Sequence, residues 1–248
     1  MRKTIYIFGI LVIVLLISCQ KYEMPKYEEE GRINFMAYDQ WGYERDDPSY
    51  FTWTKNFGIN KLGENLLVDT VKIGVKITGY TVSYPRKVTF KVRDITEKGV
   101  KIRFLDNYVV PAGSGKAAIK LIVERPAQRN LVCRSELEFD YEQSDFKRGT
   151  VERQIYKFEA SDIVNMKLLG INEAYWNDYP VYFVGDWSET KARFIITTLG
   201  ITSFATWDPW EDAGTLYREL EKYKANPANP PLYDETKLPD KVWISFPD

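Results

Sequence analysis

Apolar and polar residues alternate in short stretches between residue 32 and about residue 158. The apolar positions are Ile33, Phe35 and Ala37; Val71, Ile73, Val75 and Ile77; Val88, Phe90 and Val92; Ala117, Ile119, Leu121 and Val123; Leu137, Phe139 and Tyr141. This period of two is typical of antiparallel strands that turn one face to a core. Turn-forming clusters such as "PAGSG" at 111–115 separate the stretches. The pattern predicts an immunoglobulin-like β-sandwich.

The spacing of the apolar residues changes from that of strands after about Ser161. In "SETKARFIITTLG", Ser188 suits an N-cap and Gly200 suits the end of a helix. Its apolar face would hold Ala192, Ile195, Ile196 and Leu199. The β-branched residues of "RFIITTL" make a strand the alternative.

The clearest helix signal lies at 208–226. Asp208 suits the N-cap, Pro209 suits the first helical position, and Glu211 stands where a capping box needs an acid. Its predicted apolar stripe is Ala213, Leu216, Tyr217 and Leu220. The segments "VYFV" at 181–184 and "VWISFP" at 242–247 are predicted strands.

These patterns predict a mainly β, β-rich α+β chain. We expect an immunoglobulin-like sandwich domain at 32–160, then a smaller, mixed α/β C-terminal domain at 161–248 with one or two helices. Before them we expect a signal peptide at 1–18 and a polar tether at 19–31.

The amino terminus ends its apolar run on a cysteine. Arg2 and Lys3 precede the uncharged residues 5–17. A helix of that length reaches roughly 20 Å, short of the roughly 30 Å hydrocarbon core of a bilayer, so a signal peptide is favoured over a membrane span. The sequence "LISC" resembles a bacterial lipobox, with the small Ser18 before Cys19. We therefore expect lipidation of Cys19 and anchoring by several acyl chains.

The amino-acid composition limits the kinds of binding site that the chain can form. The chain has no histidine, two cysteines and a net charge of −1. No basic field favours nucleic acid, and Cys/His zinc sites lack their ligands. With Cys19 acylated, Cys133 has no disulfide partner, and we expect it to be a small buried residue. No cofactor or metal is predicted.

Two aromatic stretches are the candidate ligand-binding loops. They are "YDQWGYERDDPSYFTW" at 38–53 and "NEAYWNDYP" at 172–180. Aromatic faces can stack on sugars while neighbouring polar side chains bind hydroxyls. The candidate contact residues are Trp41, Tyr43, Asp46, Asp47, Trp176, Asn177, Asp178 and Tyr179. The alternative is that the rings only pin loops or fill a core.

The acidic stretches "ERDDP" at 44–48 and "DWSETK" at 186–191 do not follow a calcium-loop pattern and are interpreted as solvated turns. No pair of acids is singled out for glycoside hydrolysis.

Several segments resemble a Bacteroidetes lipoprotein family of unknown function, encoded beside Sus-like (starch-utilisation-type) outer-membrane uptake systems. They are the lipobox, "GRINF", "YVVPAGSGKAAIKLIVERP", "GDWSETKARFII" and "LEKYKANPANPPLYDETKLPDKVWISFP". The resemblance implies a two-domain architecture with an Ig-like first domain. It implies no catalytic residues. The acidic turn of this chain, "DETKLPDK", lacks the glycine-rich end expected of the family.

We therefore expect a non-catalytic, lipid-anchored outer-membrane protein, facing the cell surface or the periplasm. Its partners would be a Sus-like importer, the importer's lipoprotein partner and a glycan, with no nucleic acid. The alternatives are a structural or adhesion lipoprotein that binds other proteins, and a carboxylate-dependent glycoside hydrolase.

Overall fold

The structure, a computed structural model, describes residues 30–39, 41–105 and 107–247. The strands of this part are β1 Arg32–Tyr38, β2 Glu44–Arg45, β3 Thr52–Asn56, β4 Val68–Thr78, β5 Arg86–Val88, β6 Phe90–Asp94, β7 Ile102–Phe104, β8 Tyr108–Val110, β9 Lys116–Glu124, β10 Val132–Phe139, β11 Lys147–Arg148 and β12 Ile155–Ser161. The predicted signal peptide, Cys19 and the tether up to residue 29 lie outside the described residues.

Two sheets face each other across one hydrophobic cluster. The first runs β11-β1-β4-β9-β7, with β2 also paired to β1, and the second runs β3-β12-β10-β6. Strands β5 and β8 form a separate ribbon. Phe35 of β1 stacks on Phe139 of β10 with ring centroids 4.2 Å apart, so the two sheets meet directly in the core.

The alternating pattern correctly identified the inward face of these strands. Along β4 and β9, paired residues such as Ile73 and Ile119 are both buried. Val92 is an exception, because it is partly exposed. Cys133 is buried, as predicted, and free. The predicted mainly β fold class, a sandwich followed by a smaller region with helices, is confirmed. The exact domain boundaries stay a prediction.

The α-helices of the described part all follow the sandwich. They are α1 Glu173–Asp178, α2 Val181–Val184, α3 Glu189–Leu199 and α4 Pro209–Ala225. The caps of the longer two are confirmed. The Ser188 hydroxyl accepts a hydrogen bond from the Lys191 N–H at the start of α3, and Gly200 ends α3 in the left-handed region. The Asp208 carboxylate accepts from the Trp210 N–H at the start of α4.

Two strand predictions in this region were wrong. The segment "VYFV" is the helix α2, which starts after Pro180 and ends at Gly185 with φ +74°. The segment "VWISFP" makes only an isolated bridge between Trp243 and Tyr233. Its buried Ile244 and Phe246 pack in the helical region, so alternation arises there without a sheet.

Helix α3 is tied to the sandwich by buried ion pairs. Arg193 donates to the carboxylates of Asp162 at 2.6 Å and Glu64 at 2.9 Å. Arg125, which follows β9, donates to the same two carboxylates. Burial by itself would raise the pKa of Asp162, but the hydrogen bonds from Arg125 and Arg193 outweigh it and lower that pKa.

Candidate functional site

The helical region is organised around an aromatic core. Trp176 is only 1% exposed, and its ring lies edge-on to Trp187 with centroids 4.9 Å apart. Its indole N–H donates to the Gly185 carbonyl at 3.2 Å. Phe204 and Trp207 complete the cluster. Trp176 was predicted to contact a ligand. The structure instead places its ring in the core, in contact with three neighbouring rings.

An open aromatic cleft of about 360 Å³ lies at the surface of the same region. Its most exposed rings are Tyr182, 71% exposed, and Trp210, 69% exposed. The lining residues are Tyr182, Phe183, Trp210, Ala213, Gly214, Tyr217 and Pro247. We call the cleft lined by these residues the aromatic cleft.

Helix α4 positions one wall of the aromatic cleft. Trp210 and Tyr217 are seven residues apart and therefore lie on the same side of the helix, with the small residues Ala213 and Gly214 between them. A Cβ atom added to Gly214 would meet no atom within 4 Å, so the space above this residue is open. The two aromatic side chains thus flank a shallow floor.

Asp208 links this wall to the segment 172–180, which was predicted to be a loop but mostly forms the helix α1. Its Oδ1 accepts hydrogen bonds from the Tyr179 hydroxyl at 2.8 Å and from the Trp210 N–H at 3.0 Å. The bond to Asp208, followed by burial and nearby negative charge that includes Glu211, raises the pKa of Tyr179.

Phe183 packs against two exposed rings, Tyr179 and Trp210. Its ring makes edge contacts with Tyr179 at 5.2 Å and with Trp210 at 5.5 Å between centroids. The exposed Trp210 ring is therefore held by a neighbouring ring as well as by the helix that carries it. Asn177 and Asp178, also predicted site residues, are exposed on α1 immediately before Tyr179.

The first predicted loop is a hairpin tip between β1 and β2. Trp41 and Tyr43 are 72% and 66% exposed. The Asp39 carboxylate accepts from the N–H groups of both residues at 3.0 and 2.9 Å and pairs with Arg45. Desolvation by itself would raise the pKa of Asp39, but the hydrogen bonds that it accepts from these donors lower that pKa. Both rings therefore project from a braced turn.

The two acids of this loop have structural partners. Asp46 pairs with Lys76 at 2.6 Å, and Asp47 accepts from the Ser49 N–H at 2.8 Å as the cap of a short 3₁₀ helix. Among the described residues, no hydrogen bond, ion pair or ring contact joins this loop to the one at 172–180. The structure therefore does not bring the eight predicted residues together. Trp41 and Tyr43 lie on the hairpin tip, and Asp46 and Asp47 follow it. Trp176 lies in the core, and Asn177, Asp178 and Tyr179 are exposed next to it along the chain.

The acidic turn at 234–237 is used to cap helices. Asp234 accepts from the Thr236 N–H at the start of a 3₁₀ helix, and Glu235 accepts from the N–H groups of Glu189 and Thr190 at the start of α3. A carboxylate at a helix N-terminus is favoured by the orphan N–H groups and the helix dipole. The turn therefore supports the fold of the helical region.

No group of three or more His, Cys, Asp or Glu side chains in the described part of the chain could hold a metal ion. The same part contains no helix long and apolar enough to cross a membrane.

Residues 55–201 match a family described as "Domain of unknown function (DUF4843)". The match covers more than half of the sequence. The chain belongs to the DUF4843 family. None of the curated proteins matches it.

Solved structures resemble this DUF4843 chain only distantly. The apo-form Calx CBD1 domain is 12% identical with a TM-score of 0.34, and the match covers 54% of this chain and 98% of that one. EndoBT-3987 of Bacteroides thetaiotamicron, solved with a Man5GlcNAc product, is 10% identical with a TM-score of 0.32, covering 46% and 29%. A family 123 glycoside hydrolase from Clostridium perfringens is 12% identical with a TM-score of 0.27, covering 69% and 35%. The chain therefore spans well under half of the length of the last two proteins.

Three rings of the aromatic cleft in this DUF4843 chain, Tyr182, Trp210 and Tyr217, were not among the predicted site residues. Tyr217 was placed in the apolar stripe of α4, but 41% of it is exposed and it lines the aromatic cleft. A signal was present: Trp210 and Tyr217 share one side of α4 with Ala213 and Gly214 between them, a spacing that leaves room between two rings.

Proposed function

We propose that this chain is a lipid-anchored outer-membrane protein that captures glycans for a Sus-like uptake system and does not cleave them. The observation that supports glycan capture best is the aromatic cleft, in which Tyr182 and Trp210 are each about seven-tenths exposed. Large aromatic side chains that are exposed to solvent and line one cleft are characteristic of a binding surface.

Capture would depend on ring stacking and on hydrogen bonds at the rim. The apolar face of a sugar ring would lie on Trp210 or Tyr182, and its hydroxyls would meet the polar groups of Asn177, Asp178 and Glu211. Trp and Tyr supply a large contact area at a small cost in side-chain entropy. Phe183 and Asp208 already hold the neighbouring groups in place, which lowers that cost further.

A shallow site of this size would bind weakly on its own. The proposed lipid anchor at Cys19 would concentrate many copies at one membrane, and several weak sites acting on one polymer bind far more tightly than one. Trp41 and Tyr43, braced by Asp39 on the hairpin tip, are proposed as a second contact point on each copy.

The anchor and the binding activity have separate tests. Growth with a labelled fatty acid should label the wild-type chain and leave Cys19→Ser unlabelled. The full chain, purified in detergent, should bind at least one member of a broad polysaccharide panel and release no product from fluorogenic glycosides. Turnover that is lost on replacement of a single Asp or Glu would contradict the non-catalytic proposal.

A further inference from the structure

A second cleft, of about 800 Å³, lies between the sandwich and helices α3 and α4. It is separate from the aromatic cleft. Buried residues Pro209, Leu216 and Leu220 form the inner side of α4, and the two clefts lie on opposite flanks of that stripe. Thr215, Glu219 and Tyr223 lie on the flank that faces this second, polar cleft.

The charged residues that line the polar cleft are all in ion pairs. Glu64 pairs with Arg193 at 2.9 Å and with Arg129 at 3.5 Å, and Glu219 pairs with Lys222 at 2.7 Å. The hydrogen bond from Lys222 lowers the pKa of Glu219, so this carboxylate stays ionised and paired. The lining therefore offers an incoming ligand no uncompensated charge.

The remaining lining is rich in hydroxyl and amide groups. It includes Thr197, Thr198 and Thr215 from two helices and Asn226 and Asn229 from the turn after α4. Hydroxyls and carboxamides both donate and accept, so they complement a ligand that carries many hydroxyls. An anion or a cation would instead require an unpaired charge of opposite sign.

The cleft also has an aromatic wall. The Tyr223 ring meets buried Phe194 edge-on at 6.2 Å between centroids, and its hydroxyl donates to the Pro230 carbonyl at 2.9 Å. Burial raises the pKa of Tyr223. The Tyr223 ring is thus held in place by Phe194 and by its hydrogen bond to Pro230. The cleft therefore combines an apolar ring face with the hydroxyl and amide groups of the threonines and asparagines.

We infer that the polar cleft between the sandwich and α4 binds a neutral, hydroxyl-rich saccharide unit. The inference rests on the proposed glycan-binding function and adds to it a second site with its own selectivity for uncharged sugars. The same chemistry is carried by a free mono- or disaccharide and by one unit of a longer oligosaccharide, and titration with both distinguishes them.

The test is calorimetric titration of the full chain in detergent with neutral mono- and disaccharides, neutral oligosaccharides and a uronic-acid oligosaccharide. Thr198→Trp fills the polar cleft. The double variant Thr198→Val with Thr215→Val removes two hydroxyls at nearly constant volume and serves where the larger residue disturbs folding. Exposed Thr202, outside both clefts, gives the matched control Thr202→Val. Trp210→Ala reports on the aromatic cleft.

We expect Thr198→Trp to weaken binding of a neutral saccharide at least tenfold, the double valine variant several-fold, and Thr202→Val not at all. Equal affinity for mono- and oligosaccharide identifies a free sugar as the ligand, and binding of the oligosaccharide alone identifies a polymer unit. Wild-type binding by both cleft variants, with loss in Trp210→Ala, overturns this inference but leaves the proposed function standing. A preference of the cleft for the uronic acid also overturns it. No binding of any saccharide overturns both proposals.

Discussion

The Arg193 guanidinium and the Asp162 carboxylate form an ion pair of 2.6 Å in which both side chains are less than 5% exposed. Asp162 directly follows the last sandwich strand, and Arg193 lies in the middle of α3. The pair therefore joins the sandwich to the helical region at the base of the polar cleft. Its position makes the relative arrangement of these two parts sensitive to single substitutions.

Replacing Arg193 by Met should lower the free energy of unfolding by about 3–5 kcal/mol, because it leaves the buried Asp162 charge without one of its partners. Urea denaturation followed by circular dichroism measures the change. The control is Arg134→Met. Arg134 pairs with Glu159 at 2.7 Å on the exposed face of the sandwich, and its loss should cost less than about 1 kcal/mol. Equal losses for the two variants would contradict the account.

The same pair should give the protein an acid-sensitive stability. The pKa of Asp162 lies below its ordinary value of 3.8 in the folded state, so the carboxylate stabilises the fold above that value. This contribution is lost as the pH falls through the lowered pKa. The difference in unfolding free energy between wild type and Asp162→Asn should therefore be greatest above about pH 5 and shrink below pH 3.8. A difference that does not vary with pH would show that Asp162 contributes no ionic stabilisation.

Trp176 and Trp210 should respond in opposite ways to truncation. Trp176→Ala removes a ring from the aromatic core and should cost about 3–5 kcal/mol of stability. Trp210→Ala removes an exposed ring and should change stability by no more than about 0.5 kcal/mol. Thermal unfolding of the two variants side by side measures both. A large loss of stability in Trp210→Ala would assign that ring to packing.

Gly63 should tolerate no side chain. It has φ +54°, and an added Cβ would lie 2.4 Å from the Thr197 Cα on α3. Gly113 has a similar φ of +69° with nothing within 4 Å, so Gly113→Ala measures the backbone strain alone. We expect Gly63→Ala to be the more destabilising by about 1–3 kcal/mol, because α3 must move away from the sandwich. Similar losses of stability in the two variants would contradict this account, because the close approach of Gly63 to Thr197 would then add no cost of its own.

The sequence predicted those parts of the fold that local chemistry determines. The alternation in β1, β4 and β9 identified strands and their buried faces, and the caps Ser188 and Asp208 identified the starts of α3 and α4. The alternation failed at "VYFV", which forms the helix α2. It also failed at "VWISFP", which packs in the helical region and pairs with no strand of the described part along its length.

The two clefts were less predictable than the fold, because they depend on packing between residues that are distant in sequence. Trp176 was predicted to contact a ligand and Trp210 was not. Only packing decides that Trp187 and Phe204 lie against the Trp176 ring while the Trp210 ring stays exposed to water. The polar cleft combines residues from both sides of the ion pair. Residues as far apart in sequence as Glu64 and Asn229 meet there, and no local pattern connects them.

The most direct test of glycan capture is a comparison of dissociation constants for one bound oligosaccharide in three chains: wild type, Trp210→Ala and Tyr80→Ala. Tyr80 is an exposed ring on the sandwich outside both clefts and provides the matched control. Truncation of a Trp that dominates a binding surface typically costs more than about 1 kcal/mol. We therefore predict at least about fivefold weaker binding for Trp210→Ala and no change for Tyr80→Ala. Unchanged binding in Trp210→Ala would contradict the aromatic cleft as the site of glycan capture.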